Sequence, residues 1–125
     1  MHIAFTEREL DIMAVLWAHG PATAAEVREQ LADDLAYNTV LTMLRILEDK
    51  GHVGHTEEGR TFRFHPQVDR EAAGTNAIRR LVDTVFGGSD ELLLLHLVRD
   101  QKLGRRKLRK LRRLVDEHLQ EGDEG

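Results

Sequence analysis

Asn38, Thr42 and Arg45 are spaced so that, on a helix, an amide, a hydroxyl and a guanidinium project from one side. Asn can pair bidentately with adenine, Thr can meet a thymine methyl or a phosphate, and Arg can grip guanine or phosphate. This is recognition chemistry. The chain has no Ser-His-Asp order, phosphate-cradling loop or HExxH sequence, so no enzyme is expected and no catalytic residue is nominated. Seven histidines invite a metal reading. On a strand, however, His52 and His55 would fall on opposite faces, with His65 across a hairpin and no carboxylate or thiolate at ligand spacing. No metal and no cofactor are expected.

Side chains that read bases need a helix held at a groove. At about 100° per residue, with Val40, Leu44 and Leu47 inward and Met43 beside them, Asn38, Thr42, Arg45 and Asp49 point outward, flanked by Thr39, Leu41 and Ile46. The pattern predicts a helix over 36–50 stopped by Gly51, with Tyr37 near its start as a candidate phosphate ligand. An ordinary amphipathic helix with a solvated face is the competing account. Two shorter helices precede it. Thr6-Glu7-Arg8-Glu9 is a capping box, with Phe5 placed to staple onto Leu10 and a stripe of Leu10, Met13, Ala14 and Trp17 expected inward until Gly20-Pro21. Thr23-Ala24-Ala25-Glu26 is a second box, opening a helix with Val27 and Leu31 inward that closes near Asp33-Asp34.

After Gly51 the period becomes two. His52–Glu57 and Arg60–His65 are expected as strands around Glu58-Gly59, with Val53, Phe62 and Phe64 on one face and Arg63 on the other. Arg60 and Arg63 would let this hairpin act as a wing against DNA, although Glu57 and Glu58 partly cancel them and a mixed-charge surface hairpin is the plainer alternative. Pro66 ends it. Asp69 should cap a helix over 70–86 with Ala77, Leu81, Val82 and Val85 inward, broken by Gly87-Gly88, and Ser89 should cap another over 90–100. The second of these is apolar nearly all round, which calls for burial on more than one side. A last helix, 105 to about 119, sets Leu108, Leu111, Leu114, Val115 and Leu119 against a run of seven cations, Arg105-Arg106-Lys107, Arg109-Lys110 and Arg112-Arg113. Cations at a helix start oppose its dipole, so pairing with acids of a second subunit or contact with DNA flanks competes with a plain solvated face.

Charge runs against a DNA reading at first sight. The net formal charge is −4, and residues 1–67 hold six basic residues against eleven acidic ones. DNA-binding domains are usually basic. Yet four of those six, Arg45, Lys50, Arg60 and Arg63, fall in the proposed reading helix and wing. Modest affinity and a shallow salt dependence per monomer are expected. With 125 residues, 32% charged, two prolines and no cysteine, a single helix-rich chain in a reducing cytoplasm is the expectation. Met1 to Thr6 lack a signal-peptide pattern, no apolar run reaches membrane-span length, and no membrane partner is expected.

Several stretches together resemble the penicillinase and methicillin-resistance repressor family (BlaI/MecI/CopY type) of winged-helix transcriptional regulators. They are Glu9-Leu10-Asp11-Ile12-Met13 with Leu16-Trp17, Thr39-Val40-Leu41-Thr42-Met43-Leu44 through Leu47 and Lys50-Gly51, and Val85-Phe86-Gly87-Gly88-Ser89 before Leu92 to Leu95. The resemblance implies a mainly α fold with a small β-hairpin: a winged helix-turn-helix domain over 1–67 and a helical dimerisation domain over 68–125. It implies a cytoplasmic homodimeric repressor bound to a pseudo-palindromic operator. DNA contacts are then expected from Tyr37, Asn38, Thr39, Leu41, Thr42, Arg45, Arg60 and Arg63. Dimer contacts are expected from Leu81, Val85, Phe86, Leu92, Leu93, Leu95, Leu97, Leu108, Leu111 and Val115. The alternative is a winged-helix protein-assembly module without sequence-specific DNA binding, favoured by the acidic first half. Relatives often carry Arg-Leu where this chain has Ile46-Leu47, so operator sequence does not transfer. Protease-induced members are cut at an Asn-Phe bond whose counterpart here is His96-Leu97, which leaves a sensor or protease partner open. The Cys-rich tail of copper-responsive members has no counterpart.

Overall fold

The structure, a computed structural model, describes residues 4–124. Met1-His2-Ile3, part of the argument on a leader, lie outside the described residues. The chain runs α1 (Glu7–His19), β1 (Ala22–Thr23), α2 (Ala24–Gln30), α3 (Tyr37–Asp49), β2 (Val53–Glu58), β3 (Thr61–Pro66), α4 (Arg70–Thr84), α5 (Asp90–Arg99) and α6 (Arg105–Glu124). Two compact units divide between Ile78 and Arg79, inside α4, whereas the sequence puts a boundary at 67/68. The first unit extends into α4 because the Trp17 indole donates to the Val68 carbonyl at 2.9 Å and because Val68 and Ala73 are buried.

Both capping boxes form. Thr6 Oγ1 accepts from the Glu9 amide while Glu9 accepts from the Thr6 amide, and Thr23 and Glu26 repeat the exchange. The stripe of α1 differs from expectation. Ile12, Met13, Val15 and Leu16 are buried, while Leu10 and Ala14 face solvent and Trp17 is half-buried. The two stripes share Met13, and packing selects the one that also carries Glu9 inward. They meet Val27 of α2 and Val40, Leu44 and Leu47 of α3 in one core, closed by Val53 and Phe64.

Glu9 is buried and receives Lys50 Nζ at 3.0 and 2.9 Å on its two oxygens, so the start of α1 is fastened to the end of α3. Burial alone would push this carboxyl up, but the Lys50 ammonium and the Thr6 amide and hydroxyl hold it below the ordinary value of 4.5. A carboxylate held down in the fold contributes stability that is present above that value and lost as pH falls through the folded one. Lys50→Met leaves Glu9 with only Thr6, and denaturant melts at pH 7 should show a loss of about 1–3 kcal/mol. The gap from wild type should narrow below pH 4.5, where Glu9 takes up a proton.

The hairpin is longer by one strand than the sequence implies. β3 pairs with β2 from Val53↔Pro66 to Glu58↔Thr61 and also with β1 through Ala22↔Phe64 and Thr23↔Arg63, in the order β1-β3-β2. The turn residues are Gly59 and Arg60, with Gly59 at φ 65°, as a tight two-residue turn with glycine in its first central position requires. Arg60 therefore sits at the tip itself.

Asp69, in the first unit, and Ser89, in the second, cap as expected, by accepting from the Ala72 and Leu92 amides. Burial does not follow expectation. Of the inward stripe proposed for α4, Val82 is buried, whereas Leu81 and Val85 are exposed, Val85 by 66%. No residue of α5 is buried, and Leu92, Leu94, Leu95, Leu97 and Val98 all face solvent. Leu111, Leu114, Val115 and Leu119 of α6 do the same. A single copy does not supply the burial that this much leucine calls for.

Candidate nucleic-acid interface

α3 begins at the end of a tight connection from α2. Arg28 Nε donates to the Leu35 carbonyl at 2.7 Å, and Arg8 is paired with Asp33, so the turn is tied to both earlier helices. Ala36 occupies the N-cap without a side-chain bond, which leaves the first amides of α3 unoccupied by a cap. Val40, Leu44 and Leu47 are buried and Leu41 and Met43 pack on the core, so the helix has one permitted rotation. Asn38, Thr39, Thr42, Arg45 and Ile46 are then exposed, with Tyr37 at 40%. Leu41 is half-buried, at the edge of that surface.

Some of the acids near this face have partners, whereas Asp49 on α3 and Glu57 on β2 are exposed and have none among the described residues. Glu48 Oε2 lies 2.5 Å from His55 Nδ1, and the His55 ring stacks on Phe62 at 4.3 Å, drawing Glu48 toward β2. Asp33 is held by Arg8 and Glu9 by Lys50. Glu26 and Glu58 are both held by Arg63, at 2.9 and 2.5 Å. Six of the eleven acids in the first 67 residues are held within the fold, while Glu7, Glu29, Asp34, Asp49 and Glu57 are exposed without an ion-pair partner among the described residues, so the surface of this part stays net acidic.

The cations divide the same way. Arg8, Arg28, Lys50 and Arg63 each have a partner within the chain. Among the described residues, Arg45 and Arg60 have none. One lies on the outer face of α3 and the other at the wing tip. Arg63, which the sequence offers as a wing cation, is bonded within the chain to two carboxylates and the Pro21 carbonyl. Glu58 is a local acid that the sequence already sets against it, whereas Glu26 and Pro21 come close only through β1–β3 pairing.

Three helices with the third turned outward, followed by a twisted antiparallel sheet with a cationic tip, define a winged helix-turn-helix protein. Among the described residues no helix is long and apolar enough to cross a membrane. The penicillinase repressor family model matches residues 5–117, and the chain belongs to that family. It is 25% identical over 115 residues to the penicillinase repressor of Bacillus licheniformis, covering 90% of each chain. To the methicillin resistance regulatory protein MecI of Staphylococcus aureus (strain N315) it is 21% identical over 110 residues, covering 86% of this chain and 89% of that one. The solution structure of monomeric Bacillus licheniformis BlaI in complex with the blaP half-operator aligns with a TM-score of 0.50 at 31% identity, covering 58% of this chain and 90% of that one.

Proposed function

We propose that this protein is a cytoplasmic transcriptional repressor that binds operator DNA as a homodimer, with α3 of each copy in a major groove and the wing tip on the backbone. The observation that carries the reading is the location of Arg45 and Arg60, the cations of residues 1–67 without an internal partner among the described residues, on α3 and the wing. Family membership and the half-operator complex of BlaI support it. Asn38, Thr39, Thr42 and Arg45 are assigned to base edges and Tyr37 and Arg60 to phosphates, with Leu41 lining the contact. The exposed acids Glu7, Glu29, Asp34, Asp49 and Glu57 are what favours an assembly module as the second reading.

Homodimerisation is assigned to the second unit. Leu81, Val85, Leu92, Leu95, Leu97, Leu111 and Val115 are exposed in one copy, while Phe86, Leu93 and Leu108 are half-buried beside them in sequence. α6 carries seven cations over 105–113 and its acids from Asp116 onward. An antiparallel copy of α6 would bring opposite charges together along a shared apolar stripe.

Salt dependence tests the reading. Two open cations per copy predict that log affinity falls with log salt with a slope of about −2 for a monomer and about −4 for a dimer. Gel shifts from low to moderate salt measure it. A salt-insensitive shift, or none, would remove the DNA reading. A much steeper slope would bring the α6 cations onto the DNA.

A further inference from the structure

We propose that Arg63 is a positioning residue that latches the wing to the helix-turn-helix, and that Arg60 reaches DNA only while this latch is closed. The inference rests on the DNA-binding reading above and adds a residue role to it. The geometry is specific. Arg63 lies on β3, opposite Thr56 of β2 and Thr23 of β1, so its side chain stands on the face that crosses both pairings. One terminal nitrogen donates to Glu26 at 2.9 Å and to the Pro21 carbonyl at 3.2 Å, while Nε donates to Glu58 at 2.5 Å.

Glu26 is the pivot. The same Oε1 that receives Arg63 accepts the Thr23 amide at 3.0 Å and so closes the capping box of α2. One carboxylate oxygen thus joins the start of α2 to the middle of the wing. Thr23 amide donation, the Thr23 hydroxyl and then Arg63 hold the Glu26 carboxyl below its ordinary value, and Arg63 holds Glu58 down as well. β1 offers two residues of ladder, so strand pairing alone does little to fix the angle between wing and helices. Arg63 adds three charged or polar contacts where the ladder is shortest. Its partners are five residues away on the hairpin and thirty-seven residues away on α2, which makes it a bridge rather than a local ornament of the turn.

A latch and a direct DNA contact predict opposite results. If Arg63 touched phosphate, removing its carboxylate partners would free it and tighten binding. If it is a latch, Glu26→Gln with Glu58→Gln should weaken binding about threefold to tenfold, although two negative charges are lost. Arg63→Ala should do the same and lower the salt slope by about one per copy through displacement of Arg60. In an Arg60→Ala background, Arg63→Ala should then cost almost nothing more, which a general loss of stability would not reproduce. The full-length protein is titrated against a labelled duplex of the DNA upstream of its own gene. Tighter binding by the double Gln variant, or additive losses for Arg60→Ala and Arg63→Ala, overturns the proposal.

Amide exchange decides the latch without DNA. In Arg63→Ala the Thr23 and Phe64 amides should exchange about tenfold faster while Val40 and Leu44 in α3 keep wild-type rates. Unchanged exchange at Thr23 and Phe64 would overturn the latch. Failure of the wild-type protein to bind the duplex at all would instead overturn the DNA reading.

Discussion

Leu97→Glu is expected to give a folded monomer whose affinity for a two-half-site operator is lower by about 10²–10⁴-fold. Leu97 is 49% exposed in the single chain, so glutamate at this position meets water and leaves the isolated fold undisturbed. In a dimer that buries α5 the same carboxylate would lose its hydration without a partner, which opposes association. Losing the second copy turns an effectively intramolecular second contact back into an independent one. Sedimentation and gel shift measure the two parts separately. A variant that remains dimeric would move the interface away from α5, and a monomer with undiminished affinity would mean that one α3 suffices.

Arg45→Ala should lower operator affinity by about 10–100-fold, the weight of a good bidentate base contact, with its largest effect at one base pair of each half-site. Stability should be unchanged, because Arg45 is exposed and makes no ion pair among the described residues. A uniform loss across all operator sequences, with a slope reduced by about one per copy, would instead assign Arg45 to phosphate. Equal affinity with an equal melting temperature would remove it from the interface.

How much of this was legible in the sequence depends on whether the deciding interaction is local. Capping boxes are four-residue patterns, and Thr6-Glu9 and Thr23-Glu26 form as expected. The inner face of α3 was legible because Val40, Leu44 and Leu47 fit one helical period with no competing stripe. In α1 two apolar stripes overlap, and the choice was made by packing against α2 and α3, which also turns Glu9 toward Lys50 forty-one residues away. β1 is too short to alternate, so its pairing with β3 left no trace in the sequence. Arg63 illustrates the limit for the site: its bond to Glu26, thirty-seven residues away, forms only once the fold brings β3 beside the start of α2. The leucines of α5 and α6 were legible as needing cover, but within the single chain no residue of α5 is buried.

If two copies of α3 read the two halves of an operator, a nuclease footprint on the DNA upstream of the protein's own gene will record both. Two protected segments are expected with centres about 10 base pairs apart, or a multiple of that spacing, lost together in Arg45→Ala at concentrations where that variant is still dimeric. Absence of salt-sensitive protection by a dimeric wild-type protein, or protection that Arg45→Ala leaves intact, would contradict that reading.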